Sequence, residues 1–318
     1  GDSALSHLRM GSRGSPLALT QSQTIKRLLE TNGNNSVEIN VIKTVGDQKL
    51  NSLFHEIPGK GVFTRELDQA ILNNRVDLAV HSLKDLPTEL PKGLRLSATP
   101  KRVDPRDVLV CSNNRETSLA SLPSGSRIGT SSIRRAATLV ALHPHLNPSP
   151  IRGNVDSRIR RLDQGEYDGL ILAGAGLIRL GLTDRVSEWL EWDSWLNSPG
   201  QGALGIVIRA GDDETDNFLK VMHCENSHSA VTAERAFLRG LGGGCEVPIA
   251  ASCVNHGRQL RLKGLVVSAD GSRMVRGDMT GSSADAATLG EELAKELLKK
   301  GADLLLEELS RNIVFPGM

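Results

Sequence analysis

Two hydrophobic periods alternate along the first two thirds of the chain. In PLALTQSQTIKRLLE (16–30) the apolar positions recur at helical spacing, with Ser15 placed to cap the helix and Pro16 at its first position. FTRELDQAILNN (63–74) puts Phe63, Leu67, Ala70 and Ile71 on one helical face. Between and beyond these lie short Val/Ile-rich runs, VEINVIK (37–43) and VDLAVHSL (76–83), that read as strands. Strand–helix alternation of this kind predicts mostly parallel sheets covered on both faces.

A break follows at ATPKRVDPRD (98–107), with two prolines. The alternation then resumes through RIGT (strand), SSIRRAATLVAL (helix), DSRIRRLDQG (helix) and DGLILAGAGL (strand). WLNSPGQGA (195–203) is a second break, and LGIVIRA (204–210) is one more buried strand. After about residue 225 the pattern changes. A helix at 230–240 precedes two period-2 stretches, QLRLKGLVV and RMVRGDMTG, around the turn ADG (269–271), and a long helix at 284–308 follows. That order predicts a small α+β domain with an antiparallel sheet.

Composition narrows the chemistry. Formal net charge is +1, so nothing global points to nucleic acid, and strong anion binding has to be local. No apolar run is long enough to span a bilayer, and residues 1–10 hold no signal-peptide core. The four cysteines (111, 224, 245 and 253) match no metal spacing, so free thiols in a reducing compartment are expected.

Locally, arginines collect at strand–helix junctions. In GTSSIRRAATLVAL, Ser131 or Ser132 caps a helix whose first turn carries Arg134 and Arg135. Cations there oppose the helix dipole by a few tenths to ~1 kcal/mol each. A broken local rule marks a place where function asks for it. The alternative is two solvated arginines on a surface helix. Arg13 with Ser15, Arg152 with Arg158, and Arg179 stand at comparable junctions. In open α/β sheets ligands bind beyond the carboxyl ends of strands, and guanidinium suits bidentate capture of carboxylate or phosphate. In VDLAVHSLKDLP, Lys84 and Asp85 follow a strand end at His81-Ser82. Asp85 there could steady a cationic intermediate, or be half of a solvated Lys–Asp turn. IPGKGVFTREL (57–67) is a glycine-bracketed loop around Lys60 without the spacing of a nucleotide P-loop.

Seven stretches, GSRGSPLAL, HSLKDLPTELP, GTSSIRRAA, IRGNVDSRI, LAGAGLIRLGL, GQGALGI and AERAFLRGLGGGCEVPIA, occur in the order found in the hydroxymethylbilane synthase (porphobilinogen deaminase) family. The chain resembles that family from about Arg9 to its C-terminal helix. The resemblance implies two type II periplasmic-binding-protein-like α/β domains, 8–100 with 202–220 and 105–197, and a third, α+β domain at 225–318. It implies head-to-tail joining of four porphobilinogen molecules into hydroxymethylbilane with loss of ammonia. It also implies a dipyrromethane cofactor held by a thioether to Cys245 and an azafulvene-like cation stabilised by Asp85. The positions matching the family's cofactor ligands are Lys60, Ser82, Lys84, Asp85, Thr130, Ser132, Arg134, Arg135 and Arg158. Those matching its substrate ligands are Arg13, Ser15, Phe63, Arg152, Arg158 and Arg179. A monomer with no metal, nucleic acid or membrane partner is implied, in the cytoplasm or, after removal of a transit peptide, the plastid stroma.

The chain departs from the family at three places. Gly242-Gly243-Gly244 replaces an acidic residue and two glycines, Glu246 replaces Gln or Arg after the cysteine, and Arg65 stands where Lys is common. A carboxylate beside Cys245 should disfavour its thiolate. Two rival readings remain: a non-catalytic binding protein for an anionic solute, which leaves Cys245 without a task, and a thiol enzyme pairing Cys245 with His81, which leaves the arginines unexplained.

Overall fold

The computed structural model of the chain describes residues 6–33, 35–48, 63–112, 117–243 and 247–314. In chain order, β1 (Ser6–Ser12), α1 (Pro16–Asn32), β2 (Asn35–Val41), α2 (Val45–Gln48), α3 (Arg65–Leu72), β3 (Leu78–Ser82) and β4 (Leu94–Leu96) come first. Next are β5 (Asp107–Cys111), β6 (Arg127–Gly129), α4 (Ile133–Leu142), β7 (Asn147–Ser149), α5 (Val155–Asp163), β8 (Gly169–Ala173), α6 (Gly174–Arg179) and β9 (Val186–Trp189). After β10 (Leu204–Arg209) and α7 (Asp213–Leu219), the chain ends with α8 (Glu225–Gly240), β11 (Ile249–His256), β12 (Gln259–Val267), β13 (Met274–Ser282), α9 (Ala286–Leu297) and α10 (Asp303–Val314).

These elements divide into two compact units, Gly1–Val103 with Gly202–His228 and Asp104–Gln201 with Ser229–Met318. Three sheets form among the described residues. Two have five strands, ordered β2-β1-β3-β10-β4 and β7-β6-β8-β5-β9, and one has three, β11-β12-β13. The five-stranded sheets share one topology. Three parallel strands are extended by a strand running the other way, β10 in the first and β5 in the second, and a short edge strand closes each. Each antiparallel strand is the first one laid down after the chain passes between units. β5 is buried along its whole length and β10 along nearly all of it, as interior strands with both faces covered must be.

The helices start where their caps are. The Ala18 amide donates to Ser15 Oγ at 3.3 Å, with Pro16 at the first position of α1. The Arg135 amide donates to Ser132 Oγ at 3.2 Å, so Ser132 rather than Ser131 is the cap of α4. Met10, Leu78, Ile206 and Ile208 centre the first sheet's core. The second sheet has a core on each face, around Val108, Leu170 and Leu177, and around Leu109, Ile128 and Ile171. The third sheet packs α8 and α9 through Phe237, Leu260, Leu262, Leu293 and Leu297. Its outer hairpin, β12 to β13, occupies the two period-2 stretches around the ADG turn.

Three elements differ from the sequence expectation. DGLILAGAGL is a strand only to Ala173, and helix α6 begins at Gly174. The long C-terminal helix is two helices, because Gly301 sits at φ 109° in a wide turn over Leu298–Ala302. β5 lies across the end of the first break, where two prolines suggested only a linker.

α9 approaches α8 so closely that a Cβ at Gly290 would lie 2.3 Å from the Ala233 carbonyl oxygen. That neighbour is backbone and cannot rotate away. Gly290→Ala is therefore expected to lower the thermal midpoint, by an overpacking cost of about 1–3 kcal/mol; differential scanning calorimetry showing an unchanged midpoint would count against this packing.

Candidate active site

In the first unit, the predicted residues gather at the carboxyl ends of the parallel strands β1 and β3. Arg13 follows the last residue of β1 and is clamped from two sides. Its Nε donates to the Asp47 carboxylate at 3.1 and 3.2 Å, and its guanidinium lies 4.2 Å from the centre of the Phe63 ring. Burial works against the Asp47 charge, but hydrogen bonds from Arg13 and Thr44 outweigh it and hold the carboxyl below its ordinary range. Asp47 was not singled out from sequence, since it sits in a polar stretch with no periodicity.

Ser82 ends β3 and accepts a hydrogen bond from Gln21 Nε2 at 2.9 Å. A single 3₁₀ turn, Leu83–Asp85, then buries Leu83, leaves Lys84 half-buried and exposes Asp85. Among the described residues no hydrogen bond or ion pair engages the Asp85 carboxylate. His81, by contrast, is buried, and its Nε2 has no hydrogen-bond partner. Burial, helped by the nearby Arg13 charge, pushes its pKa down to about 4, so it is neutral and cannot serve as a cation near Arg13. A cavity of about 460 Å³ in this unit, lined by His7, Asp77, Arg209 and Glu214, opens at the other end of β1 from Arg13.

In the second unit the carboxyl ends of β6, β7 and β8 carry the arginines. Thr130 directly follows β6; it is buried, and its Oγ1 accepts from the Ser132 amide at 3.2 Å. Arg134 and Arg135 turn inward rather than into solvent, with only 6% and 8% of their surface exposed. Both grip Asp107, the first residue of β5, which is fully buried. Arg134 Nη1 reaches Asp107 Oδ2 and the Leu196 carbonyl, each at 3.0 Å. Arg135 Nη2 reaches Asp107 Oδ1 at 3.0 Å and Gln201 Oε1 at 3.3 Å. Gln201 Nε2 and Trp195 Nε1 also donate to Asp107, at 2.7 and 2.9 Å. Despite its burial, the two guanidiniums hold the Asp107 carboxyl far below the usual carboxylate range. Asp107 was missed from sequence, although a charged residue opening the unbroken apolar run VLV is a signal of a buried pair.

Arg158, on α5, donates through Nε to the Gly153 carbonyl at 2.9 Å and through Nη2 to Ser131 Oγ at 3.1 Å. No carboxylate among the described residues pairs with it. Burial and the Arg135 charge draw its pKa down to about 10. Burial does the same, to about 10, for Arg179 at the end of α6. Arg152 lies just beyond β7 and is half-buried. Arg158 and Arg179 remain charged at neutral pH. Lys60, Cys245 and Glu246 lie outside the described residues.

Each unit thus presents cations at the carboxyl edge of a parallel sheet, and in the first a free carboxylate stands beside them. Comparison with known proteins gives this arrangement its family. The model for the porphobilinogen deaminase dipyrromethane cofactor-binding domain matches residues 8–217, and that for the porphobilinogen deaminase C-terminal domain matches 228–299. The chain belongs to the porphobilinogen deaminase family. It is 46% identical to the porphobilinogen deaminase of Roseiflexus castenholzii over 94% of this chain and 98% of the relative. It is 43% identical to that of Syntrophobacter fumaroxidans over 96% and 98%. A solved L-cystine solute receptor of Neisseria gonorrhoeae aligns with 77% of this chain and 96% of its own at 12% identity and a TM-score of 0.41.

The family's cofactor carries acetate and propionate groups, and the second unit is suited to them. Arg135 Nε is buried with no hydrogen-bond partner, and Arg158 is a half-buried cation that meets no carboxylate among the described residues. Acidic side chains of a dipyrromethane would satisfy both. Among the described residues no group of histidine, cysteine and acidic side chains could hold a metal, and no helix is long and apolar enough to cross a membrane.

The neutral His81 makes a pH prediction. An unfolded chain takes up the His81 proton near its ordinary 6.5, whereas the folded one waits until about 4. Its contribution is complete above pH 6.5 and drains away as pH falls between those values, roughly 3 kcal/mol in all. His81→Gln should flatten the decline in urea stability from pH 7 to pH 4.5 relative to the parent; parallel declines would mean that His81 titrates normally.

Proposed function

We propose that the chain is a hydroxymethylbilane synthase, joining four porphobilinogen molecules head to tail with release of ammonia. The observation that carries this reading is the exposed, unengaged Asp85 carboxylate at the end of β3, among the cations of the same edge, in a chain whose family is established. When bound, the dipyrromethane supplies the free pyrrole carbon to which the first substrate unit is joined. At each addition a carbon–carbon bond forms, the carbon–nitrogen bond of the aminomethyl group breaks, and the amino group leaves as ammonia, the hydrogen lost from the receiving pyrrole carbon accounting for its third hydrogen.

The chain's own residues divide the remaining work. Asp85 accepts pyrrole N–H hydrogen bonds and balances the positive charge that develops as substrate loses ammonia. Its exposure keeps it reachable. Lys84 and Ser82 flank it on the same turn. Arg13, held in place by Asp47 and Phe63, offers a pre-oriented guanidinium to a substrate carboxylate, and Ser15 adds a hydroxyl at the α1 cap. In the second unit Thr130, Ser132, Arg134, Arg135 and Arg158 are assigned to the cofactor's acid groups, and Arg152, Arg158 and Arg179 to those of the substrate. Lys60 and Phe63 are assigned to the family's active-site loop by their match to it, and Cys245 is assigned as the attachment point. Every pyrrole brings two carboxylates, which accounts for so many arginines in a chain of net charge +1. Three separate sheets support the division into domains at 8–100 with 202–220, 105–197 and 225–318. A monomer acting in the cytoplasm or the plastid stroma completes the reading.

Intact-mass spectrometry of active protein should find the chain heavier than its sequence by one dipyrromethane, and acid 4-dimethylaminobenzaldehyde should colour it. An active chain of unmodified mass would overturn the reading. Asp85→Ala should fold and bind porphobilinogen yet lose about 10²–10⁴-fold in turnover; a near-parental kcat would remove Asp85 from the reaction.

A further inference from the structure

Asp107 touches no surface, yet it grips both Arg134 and Arg135 of the second unit's site. Its Oδ2 receives Arg134 Nη1 and Trp195 Nε1, and its Oδ1 receives Arg135 Nη2 and Gln201 Nε2, at 2.7–3.0 Å. A carboxylate offers about four lone-pair directions, so this one is saturated. It has no capacity left for a ligand or for proton transfer. What it does control is the attitude of two planar guanidiniums. Arg134 is held by one terminal nitrogen between Asp107 and the Leu196 carbonyl. Arg135 is held by its other side through Nη2, which leaves the buried Nε as an unspent donor in a fixed direction. A guanidinium fork recognises a carboxylate only when its plane is right.

We propose that Asp107 is a positioning residue for the reaction: it sets the planes of Arg134 and Arg135 so that their remaining N–H groups meet the carboxylates of the pyrrole chain. The inference rests on the reading of these arginines as cofactor ligands. A counter-ion that merely tolerated two buried cations would stabilise the fold without influencing how tightly a pyrrole acid is held.

The two roles separate in the loading reaction. The full-length chain, produced in cells unable to make porphobilinogen, is incubated at 15 °C with increasing porphobilinogen, and the fraction gaining one dipyrromethane is read by intact mass. Circular dichroism reports the folded fraction. If the parent chain does not load, the proposed function fails before the inference is reached. With a loading parent, Asp107→Asn is expected to raise the half-saturating porphobilinogen concentration at least tenfold in its folded fraction. Asp107→Glu, which keeps the charge and shifts it by one methylene, should raise it about threefold. Unchanged half-saturation in folded Asp107→Asn, with only its thermal midpoint lowered, overturns the proposal. Should Asp107→Asn not fold, Asp107→Glu decides alone: a threefold or larger rise supports the positioning role, and a parental value overturns it.

Discussion

One buried carboxylate shared by two buried arginines is the constraint on which the second unit is built. Neither Arg134 nor Arg135 could be buried without a counter-charge, since an isolated ion in the interior costs many kcal/mol. Removing one partner of such a cluster strands the others, at a cost of about 3–5 kcal/mol. The sheet topology is what makes the cluster possible. β6, β7 and β8 all point their carboxyl ends at the site, so a side chain at the start of a further parallel strand would lie at the wrong edge. β5 runs the other way, and its first residue pairs in register with Ala173, the last of β8. The antiparallel strand therefore delivers a carboxylate to the edge where arginines accumulate.

The cluster still carries more positive than negative charge. Asp107 balances one of its two arginines, and Arg158 adds a cation whose own pKa the Arg135 charge helps to depress. Arg158 and Arg179 are lowered to about 10, far from losing their protons but disfavoured as partly desolvated charges. Such a site is electrostatically incomplete, as one built for the proposed polyanionic ligand would be. The first unit solves the same problem differently. Arg13 has its own carboxylate, Asp47, and an aromatic face, while Asp85, the residue proposed for the reaction, meets no partner among the described residues. Fixed donors that need no reorganisation are what stabilise developing charge most effectively.

Local physics explains which features were legible. Caps, helical stripes and the period-2 hairpin are short-range signals, and Ser15, Ser132 and the β12–β13 strands follow them closely. The boundary inside DGLILAGAGL was not legible, because Gly174, Ala175 and Gly176 are buried whether they continue a strand or open a helix. The break in the C-terminal helix depends on one glycine adopting positive φ, which its neighbours do not announce. For the site, the motif arginines could be picked out but their partners could not. Asp47 and Asp107 lie 34 residues from Arg13 and 27 and 28 from Arg134 and Arg135, and only the tertiary fold brings them together. A junction-placed arginine looks the same in sequence whether it faces solvent, a ligand or a buried carboxylate. The second unit answers with the third option for Arg134 and Arg135, and in the first Arg13 meets a half-buried carboxylate.

The same cluster ties the third sheet to the arginine helix. α4 is held from one side by Asp107. From the other, Ala137 packs with Leu265 and Val267 of β12. The segment carrying Trp195 and Gln201 is held in turn by a second buried carboxylate. Glu234 accepts the Gly200 amide at 2.9 Å and the Cys253 amide of β11 at 3.0 Å. Ala251 of β11 donates its amide to the Asn197 carbonyl, and the Asn197 side chain returns a bond to the Ala251 carbonyl. Two buried acids therefore fasten one crossing segment, Asp107 from the second sheet and Glu234 from the helix that covers the third. Cys245 is bounded in sequence by that helix and by β11. Under the proposed function, an anchor at Cys245 for a growing polyanion and the cations assigned to receive it have to keep their spacing through every addition. Packing the arginine helix, the crossing segment and the third sheet into one body, through buried polar links, suits that requirement.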